Sequence, residues 1–151
     1  MDDRFTPVLF ITLTTKNRTK LVKLLDNVSR FVVELGFKTK THLLTFRGVE
    51  LGLNPHEHLI IAVPNSELEY FEERLGSFKP WKSWRFKTLD FQRFDETKTG
   101  RCFSYVCEKH APLQPYVVCP KRLRSCRKGR CSHTQEKIRR LVNPDFEFYT
   151  L

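Results

Sequence analysis

Seven apolar residues, Leu21, Leu24, Leu25, Val28, Phe31, Val32 and Leu35, recur every three or four positions. That spacing places them on one stripe of a helix, and a helix with one apolar stripe must pack that side against another layer. Gly36 stands where a helix C-terminal glycine belongs. The flanking segments have strand character. Residues 8–16 are β-branched and apolar, then alternate at their polar end. Residues 39–51 read as a second strand, and the Gly-Leu-Asn-Pro turn leads into a third at 56–63, ended by Pro64 and Asn65. Ser66 with Glu69 matches a capping box, and Leu68, Phe71 and Leu75 then give a short amphipathic helix up to Gly76. Residues 83–94 alternate aromatic with polar, with a slip at Thr88–Leu89 that suggests a bulge. Residues 100–110 read as a helix with Phe103, Val106 and His110 on one side. After Pro112 and Pro115 regularity falls away, with a short helix expected near 134–141. The order β-α-β-β-α-β-α predicts an α+β fold: a central antiparallel β-sheet with helices packed on one side.

The 151 residues suffice for one domain with a buried core, and 40% hydrophobic residues with 13 Phe indicate a globular chain. No apolar run approaches the roughly 20 residues that span a bilayer, so a membrane partner is not expected. The acidic N-terminus, Met-Asp-Asp-Arg, is unlike a signal peptide, and the expected location is intracellular. The net charge of +10 is uneven. Residues 1–75 hold ten basic and ten acidic residues; residues 76–151 hold the other seventeen basic and seven acidic. The excess suits a polyanionic partner, although a solvated basic surface would give the same count. Five cysteines, with no secretion signal, argue against a disulfide framework.

Two groups of residues carry chemistry. Glu50, His56 and His58 lie within nine positions around a Gly52–Asn54–Pro55 turn. Two histidines two apart leave the same face of a strand, and the turn brings Glu50 beside them. Two imidazoles and a carboxylate form a partial shell for a divalent metal, with positions left open. Glu57, between the histidines, faces the other side, exposed or paired with a basic residue. The second group is Arg101, Tyr105 and Lys109, four apart and therefore on one face of a helix. There a phenol nucleophile has a cationic neighbour one turn away. The plain alternatives are a surface His-x-His with a solvated Glu50, and an amphipathic Tyr among solvated cations.

Taken in order, Phe10–Thr15, Glu50–His58 and Tyr105 with Lys109 resemble the three motifs of HUH-superfamily rolling-circle replication initiator (Rep) endonucleases, as in small circular single-stranded DNA viruses and plasmids. The resemblance spans residues 8 to about 110. Two departures stand out. Glu57 occupies a position that is usually bulky and hydrophobic, and Tyr and Lys are four apart where many viral members have three.

The resemblance implies an HUH, ferredoxin-like, split βαβ-type endonuclease domain at 1–115. It implies Mn²⁺ or Mg²⁺ held by His56, His58 and Glu50, and a metal-dependent enzyme that nicks and rejoins single-stranded origin DNA. Tyr105 would form a 5′-phosphotyrosine intermediate, assisted by Lys109. Thr12, Thr14 and Lys16 would lie on the DNA surface with Arg101. The partners implied are single-stranded DNA, an origin hairpin, host replication proteins and a helicase; the chain has no Gly-x-x-x-x-Gly-Lys-Ser/Thr loop, so any helicase belongs to another protein or to a longer native chain. The location implied is the host cytoplasm, or the nucleus of a eukaryotic host. Trp81 or Trp84 would stack unpaired bases, with core or turn aromatics as the plain alternative.

Residues 116–151 form a basic, Cys-rich extension, packed on or continuous with that domain. Lys121, Arg122, Arg124, Arg127, Lys128 and Arg130 suit DNA phosphates. Cys119, Cys126, Cys131 and His133 offer Zn²⁺ ligands at spacings that do not match a Cys-x₂-Cys knuckle. Two other readings fit the residues: a single-tyrosine transposase of the same superfamily, and a non-catalytic, zinc-containing nucleic-acid-binding module.

Overall fold

The computed structural model describes residues 4–15, 21–52, 54–79, 86–95, 97, 102–121 and 149–150. Six strands form one sheet: β1 Phe5–Thr15, β2 Leu43–Glu50, β3 His56–Pro64, β4 Phe86–Arg93, β5 Ala111–Val118 and β6 Tyr149–Thr150. Their spatial order is β4-β1-β3-β2-β5-β6. All neighbours are antiparallel except the two-residue β6, which runs parallel to β5. Helix α1, Leu21–Thr39, connects β1 to β2, and β3 returns between them. That is a split β-α-β connection in an α+β fold.

The strand sequences explain why both sheet faces are covered. β3 is buried at every position from Glu57 to Pro64. Alternate residues therefore feed two cores. One holds Leu9, Ile11, Leu13, Leu59, Ile61 and Val63, and receives Leu24, Val28, Phe31, Val32 and Leu35 of α1. Phe71 of α2, Leu68–Leu75, packs on the same side. The other core holds Leu44, Phe46, Ile60, Ala62 and Val117 and is closed by Val106 and Phe103. These two belong to α3, Cys102–Ser104, which continues as a wider π-turn at Tyr105–Lys109. Helical structure therefore covers both faces of the sheet, not one, because the strands carry large apolar side chains on both.

Several local expectations are corrected. Helix α1 runs past Gly36 to Thr39, and Lys40 takes the left-handed conformation with φ 54°. Gly36 serves close packing instead: a Cβ there would meet Val118 Cγ1 at 3.3 Å and Leu43 Cδ1 at 3.4 Å. Ser66 and Glu69 do not form a capping box; a 3₁₀ turn at Asn65–Glu67 precedes α2 with no side-chain cap. The β4 irregularity lies opposite Thr14/Thr15, between Phe86 and Thr88, one residue before the expected slip. Regular structure does not end at Pro112. Strand β5 contains both prolines and crosses position 115, and its register against β2 shifts between Thr45 and Arg47. Prolines are tolerated in a strand near the sheet edge and beside a bulge. Trp81, Trp84 and residues 134–141 lie outside the described residues. Among the described residues, no helix is long and apolar enough to cross a membrane.

Candidate metal and nucleophile site

The β2–β3 hairpin sets the geometry. Its register pairs Glu50 with His56 and Gly48 with His58. On the other side of β3, Thr12 pairs with His58 and Thr14 with His56. His56 and His58 therefore project from the face covered by α3, as their spacing predicts. Glu50 arrives beside them: its Oε2 lies 2.8 Å from His56 Nε2.

A third imidazole completes the cluster. His110 follows the π-turn directly, and one ring nitrogen from each of His56, His58 and His110 lies within 4.8 Å of the others. Its Nε2 is 3.4 Å from Glu50 Oε2, outside hydrogen-bonding geometry. The α-helical reading put His110 on a packing stripe with Phe103 and Val106. The π-turn bonds residue i to i+5, so the His110 amide donates to the Tyr105 carbonyl at 3.2 Å and its ring turns toward the histidines. No local spacing rule would have found it. The available signal was a histidine adjoining the Tyr105–Lys109 motif.

The Nδ1 atom of each ring has a hydrogen-bonding partner. His56 Nδ1 donates to the Asn54 carbonyl at 3.1 Å. His110 Nδ1 donates to the Tyr105 carbonyl at 3.0 Å. His58 Nδ1 is 2.8 Å from Thr12 Oγ1. A ring that donates through Nδ1 presents the Nε2 lone pair, as metal-ligating histidines with a hydrogen-bonded second nitrogen do. Among the described residues, Nε2 of His58 and of His110 is buried without a hydrogen-bond partner. Buried ring nitrogens left unpaired are costly. Three nearby histidines thus offer a place for a metal ion. Tetrahedral bonds of about 2.1 Å put ligand nitrogens roughly 3.4 Å apart, so the rings would draw inward on an ion.

Surroundings tune the innermost ring. His58 is 8% exposed, and Phe10 stacks on it with centroids 5.6 Å apart and planes within 14°. Burial, then the neighbouring His56 and His110, push its pKa down to about 4 against the partial compensation of Glu50 and Asp90. The ring is neutral at ordinary pH, as a ligand must be.

Tyr105 stands over this cluster. Its ring centroid is 4.2 Å from that of His110 and 5.3 Å from that of His58, and it is 40% exposed. Tyr105, Lys109 and His110 line one open cleft of about 450 Å³ with Val49, Glu50, Leu51 and Ala111. Gly48 makes this close approach possible. A Cβ there would sit 2.3 Å from the Val106 carbonyl oxygen and 3.0 Å from His110 Cβ.

Glu50, His56, His58, Tyr105 and Lys109 thus come together, and His110 joins them. Thr12 is engaged with His58, and Thr14 is on the same face. Glu57 points to the other face, fully buried, in a two-point ion pair with Arg47 at 2.6 and 2.8 Å. Lys121 is exposed just beyond β5. Lys16, Arg101, Arg122, Arg124, Arg127, Lys128 and Arg130 lie outside the described residues, as do the tail zinc candidates Cys126, Cys131 and His133. Cys119 is buried just past β5 and outside any disulfide, and its Sγ accepts from the Lys121 N–H at 3.5 Å. Comparison with family models, with curated proteins and with solved structures returned no match.

Proposed function

We propose that this chain is a metal-dependent enzyme that nicks and rejoins single-stranded DNA through Tyr105, in the manner of an HUH replication initiator. One observation carries the reading: an accessible tyrosine and a lysine line the same cleft as Glu50 and His110, and the His110 ring clusters with His56 and His58 on that face of the sheet. The metal, when bound, supplies positive charge beside the scissile phosphate.

The chain's own residues do the rest. Tyr105 Oη attacks phosphorus, the P–O3′ bond breaks, and a 5′-phosphotyrosine bond forms. The phenolic proton passes to water and the departing 3′ oxygen takes one up. Lys109, exposed at the rim of the cleft, stabilises negative charge on the phosphoryl and leaving oxygens. The phosphodiester bond is exchanged, not hydrolysed, so the free 3′-OH can reverse the step without ATP. Three imidazoles with one carboxylate form a softer set than the oxygen-rich shells that suit Mg²⁺, and we favour Mn²⁺ over Mg²⁺. The partner is single-stranded DNA bearing an origin hairpin. Lys121 and the basic residues after it contribute phosphate contacts.

The test is incubation of the 151-residue chain with labelled single-stranded oligonucleotides and Mn²⁺. A denaturing gel should show a protein–DNA adduct that disappears in Tyr105→Phe while oligonucleotide binding persists. His56→Ala should suppress the adduct by at least about tenfold. An adduct undiminished in Tyr105→Phe overturns the assignment of the nucleophile, and no adduct with any oligonucleotide or divalent metal overturns the reading.

A further inference from the structure

We propose that His110 is a metal ligand that tethers the nucleophile's own segment to the sheet, so that ion binding and the placing of Tyr105 are one event. The inference rests on the metal site and deepens the proposed function, yet it can be tested without any cleavage.

Three observations meet at this residue. First, both donors of His110 act on one acceptor: its backbone N–H at 3.2 Å and its Nδ1–H at 3.0 Å converge on the Tyr105 carbonyl. The imidazole is therefore fixed to the turn that carries Tyr105, and its ring packs against the tyrosine ring at 4.2 Å. Second, the opposite ring nitrogen is buried, has no hydrogen-bond partner and faces His56, His58 and Glu50. His58 and His56 belong to β3 and Glu50 to β2. An ion shared by all of them would join the Tyr105 segment directly to two strands through its His110 ring. Third, the segment is built as an exception. A π-turn is rare and is frequent at functional sites, and this one spans five residues. Gly48 lets it approach β2 closely but supplies no side chain to grip it.

His110 is thus a positioning residue as well as a ligand. Without an ion, the segment is held by the packing of Val106 and Phe103, by the His110–Glu50 contact and by its continuation into β5 at Ala111. With one, the Tyr105 carbonyl, the His110 ring and the strand ligands form a closed chain. Metal binding and the ordering of residues 103–110 are then linked equilibria, and whatever factor one contributes to the other is returned in full.

The experiment is metal titration and amide hydrogen exchange on the full chain, with Mn²⁺ and with Co²⁺ as a spectroscopic probe. Wild type should show slower exchange at residues 105–111 on metal addition, with β1 and β3 little changed. His110→Ala should bind at least about tenfold more weakly, show an altered Co²⁺ visible spectrum, and lose the metal-induced protection. His110→Gly with added imidazole separates ligand from tether. Free imidazole should restore the Co²⁺ spectrum without restoring protection of residues 105–111. An unchanged metal affinity in His110→Ala overturns the proposal, as does protection of that segment that is independent of metal. Exchange in the metal-free variants also shows whether β1 and β3 are intact; a collapse of that protection would make His110 structural and sink the ligand role. Failure of DNA adduct formation with these results intact would count against the nuclease reading and leave the tether standing.

Discussion

His58 is the innermost of the three imidazoles, and its charge state follows from what surrounds it. The unfolded chain takes up a proton at this ring below about pH 6.5, whereas the folded chain holds it neutral until about pH 4, chiefly through burial and then through His56 and His110. The unfolded state binds more protons across that window, so stability falls as pH drops through it. The melting temperature of the metal-free protein should decline from pH 6.5 toward 4, and His58→Asn should flatten much of that slope. An unaltered slope would place the titration on another group. At this scale the sequence was partly legible. Glu50, His56 and His58 lie within nine positions, so strand alternation and one turn suffice to gather them. His110 is 52 positions beyond His58 and needs a π-turn and a tertiary contact, neither of which leaves a local pattern.

Among the elements, the same contrast holds between periodic segments and exceptional ones. Helix α1 and strands β1 and β3 are long and regular in hydrophobicity, and each appears where its pattern puts it. Strand β5 was invisible because Pro112 and Pro115 read as breakers, yet a strand near the sheet edge with a register shift accommodates them. The Tyr105 segment read as an α-helix because Phe103, Val106 and His110 fall on one side of such a helix; π winding makes His110 the residue against the Tyr105 ring. Its docking depends on the bare backbone at Gly48. Gly48→Ala places a methyl against the Val106 carbonyl and His110 Cβ, and overpacking of this kind costs about 1–3 kcal/mol. Urea denaturation should show that loss, and metal titration should show weaker binding because His110 is displaced. A variant with wild-type affinity would show that the turn shifts freely.

Across the whole molecule, the sheet separates two tasks. One face, under α1 and α2, carries most of the apolar core; the other carries the cluster around His58. Glu57 shows the division within a single strand, since the histidines on either side of it point one way and it points the other. Its ion pair with Arg47 is buried, and the guanidinium also lies over the Tyr116 ring at 5.2 Å. Burial pushes the Glu57 carboxyl up, against the lowering effect of Arg47. Breaking such a pair from one side costs about 3–5 kcal/mol, whereas replacing both partners with apolar groups is often neutral. Glu57→Leu should therefore be strongly destabilised in urea, and the Arg47→Met, Glu57→Leu double variant should recover most of that loss with unchanged metal affinity. Altered affinity in the double variant would mean that the two faces are not independent.

The pairing of Glu50 with His56, and of Gly48 and Thr12 with His58, has one more consequence. Strand side chains alternate, so sliding β3 by a single position against its neighbours would bury the imidazoles among leucines and turn Glu57 toward the cleft. A chain mispaired in this way would hold no cation at this site. Ion uptake therefore discriminates correctly assembled molecules from slipped ones, and an immobilised-metal column should retain the former and pass the latter.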